Sequence, residues 1–318
     1  MSAPASGLAT GRGLAAGIGA GAFWGLIFLL PIVAPGWTAL DYTVGRYLAW
    51  GGLSALLCAA KFPTLRHQLA RSDLWPLIGL AVVGNVVYYA CVAYAVSHAG
   101  VAPASLIVGS LPITITIASA LVDDRHTAQV RILALRLPLT LIAVGMICVS
   151  VDALSTPSTA PGASADERLQ VALGLLAALG AVAAWTYFAV ANTRHLQANP
   201  RISAIDWNNL TGLVTGLVVL PFVPMLLERL MQGDAATSTR FVLACSVVAV
   251  LASTVAAALW NVASRRLPGT LGGQLIVSET VFALVYGFCW TQRWPRPLEL
   301  VAIVLLVAGV VLSVRRHA

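Results

Sequence analysis

The chain is dominated by a succession of apolar runs, each about 20 residues long, set apart by short polar or Pro/Gly breaks. They fall at approximately 13–33, 40–60, 75–97, 101–121, 135–151, 169–191, 205–227, 241–264, 268–290 and 297–314. An α-helix rises about 1.5 Å per residue, so each run matches the roughly 30 Å hydrocarbon layer of a bilayer. Ten such runs take up most of the 318 residues and leave loops too short for a separate soluble domain. The pattern predicts an all-α membrane protein with ten transmembrane helices. Composition agrees: 59% of residues are apolar and 10% charged, with a mean hydropathy of +0.87, whereas soluble domains run near 45–50% and about 25%. These values exclude a water-soluble enzyme, a disordered chain and a nucleic-acid binder, despite a formal charge of +7. The first run follows Arg12 and resembles a signal peptide, but about 21 residues exceed the 7–15 of a signal core. It is read as a membrane helix.

Lys and Arg resist translocation, so their placement sets the orientation. Of the 19, six (Arg46, Arg168, Arg229, Arg240, Arg293 and Arg296) fall on one side of a ten-span arrangement. The other 13 share the side of the N-terminus. Both termini are therefore expected in the cytoplasm, with the Ser/Thr/Ala/Pro-rich segment 152–168 outside as a linker.

That linker lies at the midpoint, and the two halves show a weak likeness. A shift of 161 aligns Gly19, Ala20, Ala22 and Trp24 with Gly180, Ala181, Ala183 and Trp185. A shift of 165 sets Ala39-Leu40-Asp41 on Ala204-Ile205-Asp206, and a shift of 168 sets Arg125 on Arg293. The order of the matches fits a duplication into residues 1–155 and 156–318. Five spans per half is odd, so the second copy must be inverted. Inverted repeats are an architecture of secondary transporters, whose substrate site lies near the midplane.

Several motifs are absent. The single lysine, Lys61, permits no G-x-x-x-x-G-K-[ST] loop, and neither H-E-x-x-H nor G-x-S-x-G occurs, which disfavours an intramembrane enzyme. The five cysteines lie in apolar runs with no C-x-x-C pair, so they read as core hydrophobes, and no metal or cofactor is expected.

The residues that stand out are polar or aromatic at depth. Glu279 is the only acidic residue near the centre of a span, and such a carboxylate must face the bundle interior or a wet cavity. Proton coupling, contact with a substrate ammonium and a structural hydrogen bond are all open to it. Arg46, about one turn inside the second run, is either its partner or a side chain that snorkels outward. Asn85, Tyr88 and Tyr89 share a helical face by spacing, and Ser253, Trp260, Asn261 and Ser264 form a stripe in the eighth run. Trp37, Trp75, Trp207, Trp290 and Trp294 are placed as interfacial anchors. Trp24, Trp185 and Tyr187 lie too deep for that role, and deep aromatics either fill a core or line a pocket for flat or cationic solutes. Gly13, Gly17, Gly21 and Gly25 form overlapping small-xxx-small steps for close helix packing or for a sliding contact in gating. Phe62, Leu65 and Leu69, with Arg66 and Arg71 between, suggest a segment lying on the lipid surface.

With these residues in view, the chain resembles the drug/metabolite transporter superfamily, specifically the ten-helix type built from two EamA-like halves. The resemblance is carried by Ala22-Phe23-Trp24-Gly25, Arg46-Tyr47, Val101-Ala102-Pro103-Ala104-Ser105, and the pair Leu111-Pro112 and Glu279-Thr280. Family members often show Glu-Pro at the last two places. This chain keeps the Pro in one half and the Glu in the other, and ends the ninth run with Thr291-Gln292-Arg293 where an acidic Gly-Glu is usual. Within the superfamily it is most similar to bacterial exporters of aromatic amino acids. The resemblance implies a multi-pass protein of the bacterial inner membrane whose partners are lipids and a small-molecule substrate, with no nucleic acid. It implies alternating access, with Pro112 and the glycines as packing or gating elements. Trp24, Asn85, Tyr88, Tyr89, Trp185, Tyr187, Trp260, Asn261, Gln274 and Glu279 are the candidate substrate-binding residues, aromatic surface for a ring and polar groups for charged ends. A multidrug or cationic-metabolite exporter would use the same aromatics with Glu279.

Overall fold

The computed structural model describes residues 7–123, 136–155, 165–266, 275 and 277–315, and every regular element among them is helical. By length and composition, seven helices can cross a membrane, or eight if Ala39–Ala60 and Phe62–Gln68, bent by 90°, form one broken span. Two shorter apolar helices are Val277–Thr291 and Pro297–Leu312. The protein is thus an all-α membrane protein, while the described helices of full spanning length number fewer than the ten runs. The reason is local. Val277–Thr291 has 15 residues, about 22 Å at the helical rise, and the start of the ninth run falls largely outside the described residues.

Two antiparallel helices, Ala39–Ala60 and Ala204–Val219, organise the bundle. Each begins with the same device. The Thr38 hydroxyl accepts the backbone N–H of Asp41 at 3.2 Å and the Asp41 carboxylate accepts the Thr38 N–H at 2.8 Å. The Ser203 hydroxyl likewise accepts the Asp206 N–H, at 3.1 Å. Such caps satisfy N–H groups that the first helical turn leaves without partners. Each capping aspartate then reaches the far end of the other helix path. Asp206 pairs with Lys61 at 2.7 Å and Asp41 with Arg229 at 3.0 Å. Between these ends the helices cross glycine to glycine, and a Cβ on Gly51 would lie only 2.5 Å from the Gly216 Cα.

The glycine stripe of the Gly7–Gly25 helix packs in a similar way. Gly17 faces Leu275, Gly21 faces Ser278 and the Glu279 backbone, and Gly25 faces the backbone of Ala283. Gly13 is buried on the same helix. The stripe is a close backbone contact with the Val277–Thr291 helix, as small-residue faces permit, and it holds Glu279 beside the first helix. Pro112 is the second residue of the Leu111–Asp123 helix, just after the break at Gly109 and Ser110. Phe62 is exposed at the bend after Ala39–Ala60, whereas Leu65 is turned into the protein beside Leu77 and Trp207.

Two further breaks are π-helical, at Leu80–Val87 and Ala249–Val255. π turns insert an extra residue, rotate the residues that follow and often mark functional positions.

Of the five tryptophans expected at interfaces, Trp75 and Trp294 are largely exposed and Trp290 half exposed. Trp207 is instead fully buried, its indole N–H donating to Asn192 at 2.9 Å and its ring stacked on His195. Trp37 stacks on Phe241 at 4.2 Å. In both cases a polar or aromatic neighbour within the bundle replaces the lipid headgroups. The cysteines are all free among the described residues: Cys58 and Cys245 are buried, Cys91 and Cys148 partly so, and Cys289 is exposed on the apolar outer surface.

The crossing gives a testable contrast. Gly51→Leu should push the two helices apart at a cost of about 1–3 kcal/mol, lowering the thermal midpoint of the detergent-solubilised protein by several degrees. Gly52→Leu, whose Cβ would meet nothing within 4 Å, should leave the midpoint within error.

Candidate substrate cavity

Beside the crossing lies a cavity of about 680 Å³, bordered by residues of the first, second, third, fourth, sixth, seventh, eighth and ninth apolar runs. Its walls are aromatic. Trp24 packs on Trp260 with ring centres 5.4 Å apart on one side. On another, Trp185 lies 4.6 Å from Tyr88 and stacks on Phe188 at 4.7 Å. Tyr47 and Trp50 also contribute.

One end of the cavity is bordered by Thr193, Arg194 and Gln197, which are exposed, and by Ala204 and Asn208. This end forms the mouth, beside the Lys61–Asp206 pair. Nearby, Asp73 receives both Arg201 at 2.7 Å and His195 at 3.3 Å. The opposite end of the bundle is closed. There the Trp37–Phe241 stack lies under Tyr42, whose hydroxyl donates to the Ala34 carbonyl at 2.6 Å, and under the Asp41–Arg229 pair.

The polar lining has an uneven division of labour. Asn85 Nδ2 donates to Thr215 Oγ1 at 2.9 Å, tying the third run to the seventh. Asn261 Nδ2 donates to the Ala257 carbonyl at 2.9 Å, one turn back on its own helix. These amide nitrogens already serve the protein's own groups. Glu279 differs: among the described residues its carboxylate forms no hydrogen bond or ion pair, and the charge it interacts with is that of Arg46 on the same cavity. Arg46 also lines the cavity and is only 6% exposed. Its Nη1 donates to the Tyr47 hydroxyl at 3.4 Å and its Nη2 to Ser253 Oγ at 3.2 Å, while Nε has no partner. The guanidinium lies over the rings of Tyr89, at 4.3 Å, and Tyr47, at 4.9 Å. It therefore does not snorkel to the surface; cation–π contacts hold it inward.

Of the residues singled out from the sequence, Trp24, Asn85, Tyr88, Trp185, Trp260, Asn261 and Glu279 share this one cavity. Tyr89 and Tyr187 do not border it. Tyr89, one residue or about 100° around the helix from Tyr88, turns its hydroxyl to the Ile27 carbonyl at 3.3 Å under the Arg46 guanidinium. Tyr187 is two residues, or about 200°, around the helix from Trp185; it is half exposed and meets Gly79. Gln274 lies outside the described residues. Sequence reasoning passed over Trp50 and Phe188. Both were signalled by helical spacing, Trp50 four residues after Arg46 and Phe188 three after Trp185.

An apolar-walled chamber with a few polar groups, open at one end and formed where many helices meet, is what a small-molecule carrier needs. Comparison with known proteins agrees. Residues 172–315 match the profile of the EamA-like transporter family. Over 315 residues the chain is 33% identical to inner membrane protein YtfF of Escherichia coli (strain K12), an alignment covering 93% of this chain and 92% of that protein. A solved crystal structure, 16% identical, is similar with a TM-score of 0.58 over 95% of this chain and 96% of its own, which supports the fold alone. The chain belongs to the EamA-like transporter family of drug/metabolite transporters, as a multi-pass membrane protein with a transport role.

Proposed function

We propose that this protein exports aromatic amino acids and related small amphipathic metabolites across the bacterial inner membrane by alternating access. The observation that carries the reading is the cavity itself: Trp24, Trp260, Trp185, Tyr88 and Phe188 form its walls, and a Glu279 carboxylate without a recorded protein partner lies among them. A flat ring gains apolar and stacking contact from such walls, and an ammonium group gains a charged partner in Glu279.

The proposed architecture is ten spans in two inverted five-helix repeats, residues 1–155 and 156–318. Thr38 and Ser203, Asp41 and Asp206, and Gly51 and Gly216 are each 165 residues apart. Two members of this set act as matching caps, two as matching salt-bridge acids, and two meet at the crossing, as a two-fold relation in the membrane plane requires. The π-helical breaks begin at Leu80 and Ala249, 169 residues apart, close to the same offset. With both termini cytoplasmic, as the basic-residue asymmetry favours, the Arg194 mouth faces the cytoplasm and the Trp37–Phe241 stack closes the outer side. An exporter must load from that side.

A second reading, export of lipophilic cations, draws on the same aromatics and on Glu279. Proteoliposomes holding the purified protein separate the two. The amino-acid reading expects saturable movement of labelled Phe and Trp, and is overturned if lipophilic cations move and no amino acid does. Glu279→Gln keeps the side chain's size and removes its charge. It should reduce Phe transport about tenfold or more, the value of one charge-assisted hydrogen bond, whereas unchanged kinetics would leave Glu279 a packing role. For topology, a reporter active only in the cytoplasm should be on when fused after Ala318 and off when inserted near Gly162; the reverse pattern contradicts the orientation.

A further inference from the structure

The proposed function leaves one buried charge unexplained. Arg46 is held deep in the bundle; Glu279, on the same cavity, is close enough for their charges to interact, but no carboxylate among the described residues reaches it as an ion pair. A guanidinium carries five N–H donors and no acceptor. Its recorded hydrogen bonds, at 3.4 Å and 3.2 Å, go to two neutral hydroxyls, and Nε has no partner. A buried cation so under-supplied is costly unless something neutralises it. The side chain is nonetheless fixed, with Tyr89 and Tyr47 against its face and Ser253 at one arm, and it borders the same cavity as Glu279. A planar, oriented fork of N–H donors matches the geometry of carboxylate and phosphate, and Glu279 in the same cavity favours a singly charged carboxylate over a dianion.

We propose that Arg46 is the specificity-determining residue for the acidic end of the cargo: it binds the carboxylate of a solute whose ring lies on the aromatic walls. Glu279 takes the ammonium when the solute has one. This inference rests on the small-solute reading of the cavity, yet it makes a separate demand, that a carboxylate be recognised. The two asparagines each commit one amide N–H to the protein, at Thr215 and at the Ala257 carbonyl, whereas the guanidinium brings a charged fork to the acid end. Ser253 is a positioning residue, since it touches the Arg46 arm through Nη2.

Three probes dissect the site: L-phenylalanine, phenethylamine, which lacks the carboxylate, and 3-phenylpropanoate, which lacks the amine. Affinities of the purified full-length protein are read by quenching of its intrinsic tryptophan fluorescence. Arg46→Gln should weaken phenylalanine and 3-phenylpropanoate at least tenfold and leave phenethylamine within twofold. Retained phenethylamine binding doubles as the check that the variant is folded. Arg46→Lys, a point charge without the fork, should recover only part of the loss. If Arg46→Gln does not fold, Ser253→Ala serves, with a two- to fivefold loss confined to the two carboxylates. Parallel loss of all three probes in a folded variant, or no selective loss, overturns the proposal, as does wild-type protein that binds phenethylamine and neither carboxylate. Arg46-dependent binding of 3-phenylpropanoate by a protein whose proteoliposomes do not move phenylalanine would uphold the carboxylate site and defeat the amino-acid export reading.

Discussion

The arrangement depends on the contact of Gly51 with Gly216. Hydrocarbon offers no hydrophobic gain for bringing helices together, so association in a bilayer relies on close packing and on internal polar contacts. Here the absence of two side chains lets two antiparallel helices touch at the backbone. Their ends are then fixed by Asp41–Arg229 and Lys61–Asp206; the Asp41 carboxylate also accepts the Thr38 N–H and the Asp206 carboxylate the Ser203 hydroxyl. Packing at the centre and charge at both ends make a rigid cross against which the remaining helices settle. The first and ninth runs form a second close contact through Gly17, Gly21 and Gly25, and the cavity occupies the space between.

A bilayer also dictates how polar groups behave in that space. With no surrounding water, each polar group on the spans needs an internal partner or a wet chamber. Most find partners: Thr43, Thr211 and Thr215 donate to the carbonyl four residues back, and Asn85 to Thr215. Among the described residues Trp37 Nε1, Ser54 Oγ and Thr254 Oγ1 lack partners outside the lining of the cavity, whereas Trp50 Nε1 and Arg46 Nε lack them on its wall, beside Glu279. On the proposed reading, the unused capacity on the cavity wall is what a solute would take.

Much of this was legible in the sequence because hydrophobic length is a direct consequence of bilayer thickness. The deep placement of Trp24, Trp185, Trp260 and Glu279 follows from their position within runs, and all four border the cavity. What sequence spacing could not supply was angular register. Tyr89, under Arg46, and Tyr187, beside Gly79, show that depth without angle does not put a residue on the cavity. Trp207 and Trp37 failed the interfacial expectation for a related reason: proximity to a span end does not reveal that Asn192, His195 or Phe241 is waiting inside. Arg46 read equally well as a snorkelling side chain until the rings of Tyr47 and Tyr89 were seen beneath it. The crossing of Gly51 with Gly216 could not be read from either run alone, since a contact between two helices is a property of the pair.

The central claim is that one chamber holds the ring of an aromatic solute between the Trp24–Trp260 pair and the Tyr88–Trp185–Phe188 group. The most direct measurement is the location of a heavy atom on such a ring, by structure determination of the protein saturated with 4-bromophenylalanine and use of bromine anomalous scattering. The account predicts a single bromine peak within van der Waals distance of those rings. A peak outside the cavity, or no peak under conditions in which the same compound is transported, would contradict it.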